Sequence, residues 1–209
     1  MVGCVAESSQ TGFCVVKNNE KQSFTGVVLA GGRSVRMGQD KALLTLPDGR
    51  TLLERAIETL RQAGASEIII SVGVEKTYGI PGTREVQDTQ VGCGPMSGLK
   101  AALTAAKFPL CLVLAVDLPK MTATYLSDLM AQSEHGCGVV PTSDDQAEPL
   151  AAVYPREAAE EAQRALVEQI YSLQRWVNVL ESSQRVRMIP VHAEEQILFA
   201  NWNTPSDCL

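Results

Sequence analysis

Apolar residues first gather into a pattern at Thr25, where Thr-Gly-Val-Val-Leu runs straight into Ala30-Gly31-Gly32 and reads as a short buried strand. Residues 1–23 before it are polar and aperiodic, which predicts a loose tail outside the fold. Thr51 and Glu54 have capping-box spacing, and Leu52, Leu53, Ala56, Ile57 and Leu60 then mark one face of a helix that Gly64 can end. Glu67–Val72 predicts a second strand, and Glu85-Val86 a short third one. Gly94-Pro95 breaks the chain before a helix over about 97–106. The unbroken apolar run Leu110–Val116 has the character of a central parallel strand covered on both faces, and it stops at Asp117. Further along, the pattern predicts a helix over about 124–133, strands at 138–140 and 148–154, and a helix opening with Pro155. A helix over 172–180 follows, with Leu173, Trp176, Val177 and Leu180 inward, then a strand at 186–191 and an apolar piece at 198–200. Thr204 caps a final helix holding Pro205 and Asp207 in its first turn. Alternating strands and helices through the first 130 residues predict an α/β fold with a parallel sheet, right-handed crossovers and one domain over 24–209.

Composition narrows the function classes. Apolar residues at 45% and charged ones at 20% exclude a disordered chain. A net charge of −6 gives no broad positive field, so nucleic acid is excluded as a general partner. The longest apolar run is strand-sized, far below the ~20 residues of a membrane helix, so no membrane role is expected. Six scattered cysteines without a Cys-x-x-Cys pair, and two distant histidines, speak against structural zinc. With no basic n-region and apolar stretch at the N-terminus, the cysteines read as reduced thiols of a cytoplasmic protein.

The densest chemical signal is Leu29-Ala30-Gly31-Gly32-Arg33-Ser34-Val35-Arg36-Met37-Gly38-Gln39-Asp40-Lys41, directly after the first strand. Glycines let backbone N–H groups approach phosphate oxygens, and two arginines and a lysine supply positive charge for a polyphosphate. Gly38 is followed by Gln39 rather than Lys-Ser/Thr, so this is not a Walker loop, nor is it Gly-x-Gly-x-x-Gly. Asp117, at the carboxyl tip of the most apolar strand, is placed to coordinate a hard cation bridging phosphates. Asn201 and Asn203 straddle one residue, so an extended strand would turn both to one ligand. Trp176 and Trp202 read as packing residues, and Asp144, Asp145 and Glu148 as a polar loop rather than a metal cluster.

The 29–41 segment resembles the signature of nucleotidyltransferases related to the molybdenum cofactor guanylyltransferases, with every fixed position of Leu-Ala-Gly-Gly-x-Ser-x-Arg-Met-Gly-x-Asp-Lys filled. The resemblance continues in order through Gly94-Pro95-Met96-Ser97-Gly98, Asp117-Leu118-Pro119, Glu148-Pro149-Leu150, Ser172-Leu173-Gln174-Arg175 and Asn201-Trp202-Asn203-Thr204-Pro205. It implies a Rossmann-like, mostly parallel twisted sheet with helices on both faces, similar to nucleotide-diphospho-sugar transferases. It implies transfer of GMP from GTP to the terminal phosphate of molybdopterin with Mg2+, in service of downstream molybdoenzymes or cofactor-delivery proteins. Residue by residue, it assigns Leu29, Ala30, Gly31 and Gly32 to the nucleotide through their backbone. Lys41 and Arg36 fall to the phosphates, Asp88 to a nucleotide contact and Asp117 to the metal. Ser71 stands where the family often has a nucleotide-contacting asparagine, and a hydroxyl lacks the two-sided hydrogen bonding of an amide. Arg175, Asn201 and Asn203 are assigned to the acceptor. Two alternatives stand beside this reading: a cytidylyltransferase or related enzyme acting on another phosphorylated acceptor, and a non-catalytic molybdopterin carrier. Gly31-Gly32 with Asp40-Lys41 favours the guanylyl branch, and Lys41 together with Asp117 speaks against a carrier.

Overall fold

The computed structural model describes residues 22–31, 40–74, 76–88, 90 and 92–202. Its centre is β1 (Thr25–Leu29), whose five residues are all buried. Parallel partners flank it: β2 (Glu67–Val72) on one side and β4 (Leu110–Ala115) on the other. Beyond β2 lies β3 (Arg84–Gln87), also parallel. On the other wing β7 (Ala151–Pro155) runs antiparallel to β4, and β5 (Gly138–Ser143) follows it. β6 (Gln146–Ala147) folds back on β5, and β8 (Val186–Pro190) joins β5 in parallel. The order is β3-β2-β1-β4-β7-β5-β6, with β8 on β5. The mostly parallel sheet expected from the sequence is therefore present, but β4 is parallel to its neighbour on the β1 side alone.

Helices cover both faces. On one side α1 (Leu52–Ala63) and α3 (Ala123–Ala131) pack over Val28, Ile68, Ile70, Leu112 and Leu114. On the other, α2 (Pro95–Ala105), α4 (Ala158–Val167) and α5 (Leu173–Ser182) cover Val27, Leu29, Ile69, Cys111 and Val113. Successive strand residues thus feed opposite cores, the period-2 rule hidden inside continuous apolar runs.

Local signals act as the sequence predicts. Thr51 and Glu54 form a reciprocal capping box, and Gly64 closes α1 in the left-handed conformation at φ 98°. Gly94 adopts φ 62° and ψ −152°, a conformation closed to other residues, and Pro95 then opens α2 two residues before the expected start. Asp144 and Asp145 make the left-handed turn between β5 and β6.

Other expectations need correction. Pro155 does not open a helix; it ends β7 opposite Leu110, where its missing N–H is tolerated, and α4 starts at Ala158. The apolar piece at 198–200 closes a 3-10 segment, Ala193–Phe199, that buries Phe199 edge-on against Tyr125, ring centroids 5.5 Å apart. Glu148–Leu150 is a turn preceding β7, with the Ala151 amide donating to the Glu148 carbonyl. The predicted last helix from Thr204 lies outside the described residues.

Candidate nucleotide-binding site

Strand order reverses at β1. The chain moves outward through β2 and β3, then returns to place β4 on the opposite side. The carboxyl ends of β1 and β4 therefore lie side by side at this reversal, the usual ligand position of an open α/β sheet. Leu29 and Ala115 are in register there, and the Val116 amide donates to the Leu29 carbonyl at 3.4 Å. The backbone of Leu29–Gly31, Lys41, Asp117 and Leu150 line the resulting cleft.

Two predicted residues meet in it. Lys41, in a 3-10 turn (Lys41–Leu43), places Nζ 3.1 Å from Asp117 Oδ2 across 76 residues of chain. Both side chains are largely covered, 18% and 28% exposed, so the pair is partly desolvated yet open to a ligand. Asp40 caps the turn by accepting from the Ala42 amide at 3.1 Å. Its Oδ2 also accepts from Lys76 Nζ and from the Tyr78 hydroxyl, each at 2.9 Å. Partial burial opposes charge on Asp40, but the hydrogen bonds from Lys76, Tyr78 and Ala42, with the Lys76 charge, outweigh it and hold the carboxyl below its usual value. Burial first, and then Asp40, pushes the Tyr78 phenol up, which keeps it a protonated donor.

A second polar group lies where β2, β3 and α2 meet. The Asp88 amide donates to the Val72 carbonyl at 2.8 Å, and its Oδ1 accepts from the Ser97 hydroxyl and from the Gln90 amide. Ser71 is buried on the same side and faces Gly98, where an added Cβ would fall 2.5 Å from Ser71 Oγ and 3.8 Å from Asp88 Oδ2. Its carbonyl accepts from the Ala30 amide at 3.0 Å, tying the β1 tip to β2. The Ser71 hydroxyl is thus packed beneath α2, not presented to the Lys41–Asp117 cleft.

The MobA-like NTP transferase domain matches residues 26–188. The chain belongs to that family. This MobA-like transferase is 40% identical over 188 residues to the "Probable molybdenum cofactor guanylyltransferase" of Opitutus terrae, covering 88% of this chain and 93% of that one. It is 37% identical over 186 residues to the "Molybdenum cofactor guanylyltransferase" of Xanthomonas euvesicatoria, with 88% and 92% covered. Among solved structures it is similar to molybdopterin-guanine dinucleotide biosynthesis protein A from Archaeoglobus fulgidus, at TM-score 0.67 and 28% identity over 88% of this chain and 94% of that one.

The transferase does not gather every residue assigned to the site by resemblance. Gly32, Arg36 and Asn203 lie outside the described residues. Asn201 is exposed and reaches the strand tip through its neighbour, since the Trp202 amide donates to the Asp117 carbonyl at 3.0 Å. Arg175 is exposed in the first turn of α5 and lines a groove between α4 and α5, away from the Lys41–Asp117 cleft. The Ser172–Arg175 match has a structural explanation in this transferase. Ser172 caps α5, Leu173 is buried, and the Gln174 amide bonds both backbone groups of Ala147 at 3.0 and 2.7 Å. Trp176 is buried against Tyr154, with centroids 4.9 Å apart, and Trp202 packs on the α1 side, as packing residues should. Sequence reasoning missed Tyr78 and Lys76, because no spacing or motif connects a loop tyrosine to an aspartate 38 positions earlier.

Proposed function

We propose that this protein transfers GMP from GTP to the terminal phosphate of molybdopterin, forming molybdopterin guanine dinucleotide and releasing pyrophosphate. The observation that carries the reading is the Lys41–Asp117 pair at the switch point of a chain about two-fifths identical to a named guanylyltransferase across most of both. In this reading residues 24–209 act as one domain in the cytoplasm. Among the described residues no helix is long and apolar enough to cross a membrane, which is compatible with that location.

The acceptor phosphate is already anionic, so the reaction needs no strong general base. A phosphate oxygen of molybdopterin forms the new bond to the α-phosphorus of GTP. The bond from that phosphorus to the β-bridging oxygen breaks, and pyrophosphate leaves with the electron pair. The protein's task is to bring two polyanions together and offset the charge that develops on the leaving group. We assign Lys41 to the phosphates and the Leu29–Gly31 backbone to the nucleotide. Asp88 goes to the base side, and Asn201 and Asn203 to the acceptor, whereas Ser71, packed beneath α2, is given no ligand contact.

Asp117 fits a magnesium ion in one particular way. It offers hard oxygens at the cleft, but among the described residues no cluster of three or more acidic, His or Cys side chains surrounds it. A single carboxylate would suit an Mg2+ ion that enters with the nucleotide. The chemistry such an ion supplies is charge neutralisation on the phosphate oxygens.

Pyrophosphate release from purified protein with Mg2+, molybdopterin and each of the four nucleoside triphosphates tests the proposal. GTP should turn over well above CTP and ATP. Preference for CTP would establish the cytidylyl alternative, and molybdopterin binding without release from any nucleotide would establish a carrier.

A further inference from the structure

Residues 76–83, in the connection from β2 to β3, reach the edge of the cleft at Asp40 without lining it. The Glu85 carboxylate on β3 gathers three donors from this connection: the Thr77 hydroxyl at 2.6 Å and the amides of Tyr78 and Gly79 at 2.8 and 2.7 Å. The Tyr78 ring packs on the core beneath α1. So anchored, its hydroxyl lies 2.9 Å from Asp40 Oδ2 and 3.4 Å from the Ala30 carbonyl. One phenolic proton cannot serve both acceptors, and the shorter contact to a charged oxygen takes it. Ala30 directly follows β1 and Asp40 begins the turn that carries Lys41, so one hydroxyl touches the chain on both sides of residues 32–39.

Asp40 is largely committed within the protein, with three of its roughly four acceptor sites occupied. Oδ1 caps the turn at Ala42, while Oδ2 holds Tyr78 and Lys76. Its position between an anchored phenol and the catalytic-side lysine is that of a strut. We propose that Tyr78 is a positioning residue for the nucleotide end of the cleft: pinned from β3 by Glu85, its hydroxyl holds Asp40 in place and so sets Lys41 toward Asp117. The inference rests on the nucleotidyltransferase reading above, though not on the choice of base or acceptor. Tyr78 is not among the residues lining the cleft, and in this proposal it acts through Asp40 and Lys41, which are.

The test is a double-mutant cycle of Tyr78→Phe and Asp40→Asn in the full chain, read by GTP titration calorimetry and by steady-state pyrophosphate release. Tyr78→Phe keeps the packed ring, so the melting temperature should move little, whereas the loss of one positioning hydrogen bond should weaken GTP binding by roughly three- to tenfold. The KM for molybdopterin should stay within about twofold, a split that a merely structural loss of folded protein would not produce. In the Asp40→Asn background the same change should have less than about half its effect on a logarithmic scale, because the two groups act through one contact. Full additivity, or unchanged GTP affinity and kcat in Tyr78→Phe, overturns the inference. If the wild type prefers another nucleoside triphosphate, the guanylyl reading fails while the cycle, run with that nucleotide, still decides the role of Tyr78. A wild type that binds no nucleoside triphosphate overturns both.

Discussion

Replacing Asp117 with alanine separates stability from catalysis because the two effects differ in size. The Nζ–Oδ2 distance of 3.1 Å corresponds to an attraction of about 5 kcal/mol at an effective dielectric of about 20. Desolvation of both groups and the ordering of a lysine side chain oppose most of it, and exposed pairs retain only about 0.2–1 kcal/mol. At 18% and 28% exposure this pair is less screened than those, so we expect a loss of about 1–2 kcal/mol. In a chain of this length that lowers the melting temperature by roughly 2–8 °C and leaves a folded protein. Turnover should fall much further, roughly 10²-fold or more, equivalent to about 2.7 kcal/mol of lost transition-state stabilisation. Ground-state binding should move the other way. Without metal, removing a carboxylate from a site for a polyanion leaves GTP affinity unchanged or tighter. Urea denaturation, pyrophosphate release in Mg2+ and GTP calorimetry in chelator measure the three quantities on one preparation. A folded Asp117→Ala protein that retained turnover within about threefold of wild type would refute the assignment of Asp117 to the metal.

Gly98→Ala sets about 1 kcal/mol of helix propensity against a Cβ placed 2.5 Å from Ser71 Oγ, and overpacking of about 1–3 kcal/mol should win. Adding Ser71→Ala should restore the lost stability in urea titrations; stabilisation by Gly98→Ala alone would show that α2 and β2 are not in such close contact. Glu67 is 8% exposed, and burial opposes its charge. Hydrogen bonds from Arg84 (2.7 Å), the Lys107 amide (3.0 Å) and Thr25 (2.9 Å) outweigh that burial and hold its carboxyl below the usual range. A lowered folded-state pKa means that the stabilisation is complete above the unfolded value of about 4.3 and disappears as pH falls through the folded one. The denaturation midpoint of Glu67→Gln should therefore fall less steeply than that of wild type below about pH 4.3, and equal slopes would contradict the reading.

What the sequence determined unaided is what local energetics decide. The capping box at Thr51 and Glu54, the glycine stop at Gly64 and the bounds of β2 depend on residues within one turn or one strand of each other, so their signals survive without tertiary context. The same holds for the family signature at 29–41 and for an aspartate at the tip of the most apolar strand. Long-range pairing is different. Leu110–Ala115 is apolar at every position, and a run covered on both faces carries no mark of which neighbour is parallel, so the antiparallel β7 and the role of Pro155 at its end were illegible. Arg175 sits in a sequence match, yet it lines the groove between α4 and α5 and not the Lys41–Asp117 cleft, a placement set by long-range packing. Lys41 and Asp117 were each visible along the chain, and the register of β1 against β4 brought them within 3.1 Å. The Tyr78–Asp40 contact came from tertiary structure alone, because a hydrogen bond between two loops depends on where the sheet carries them, and nothing local encodes that distance.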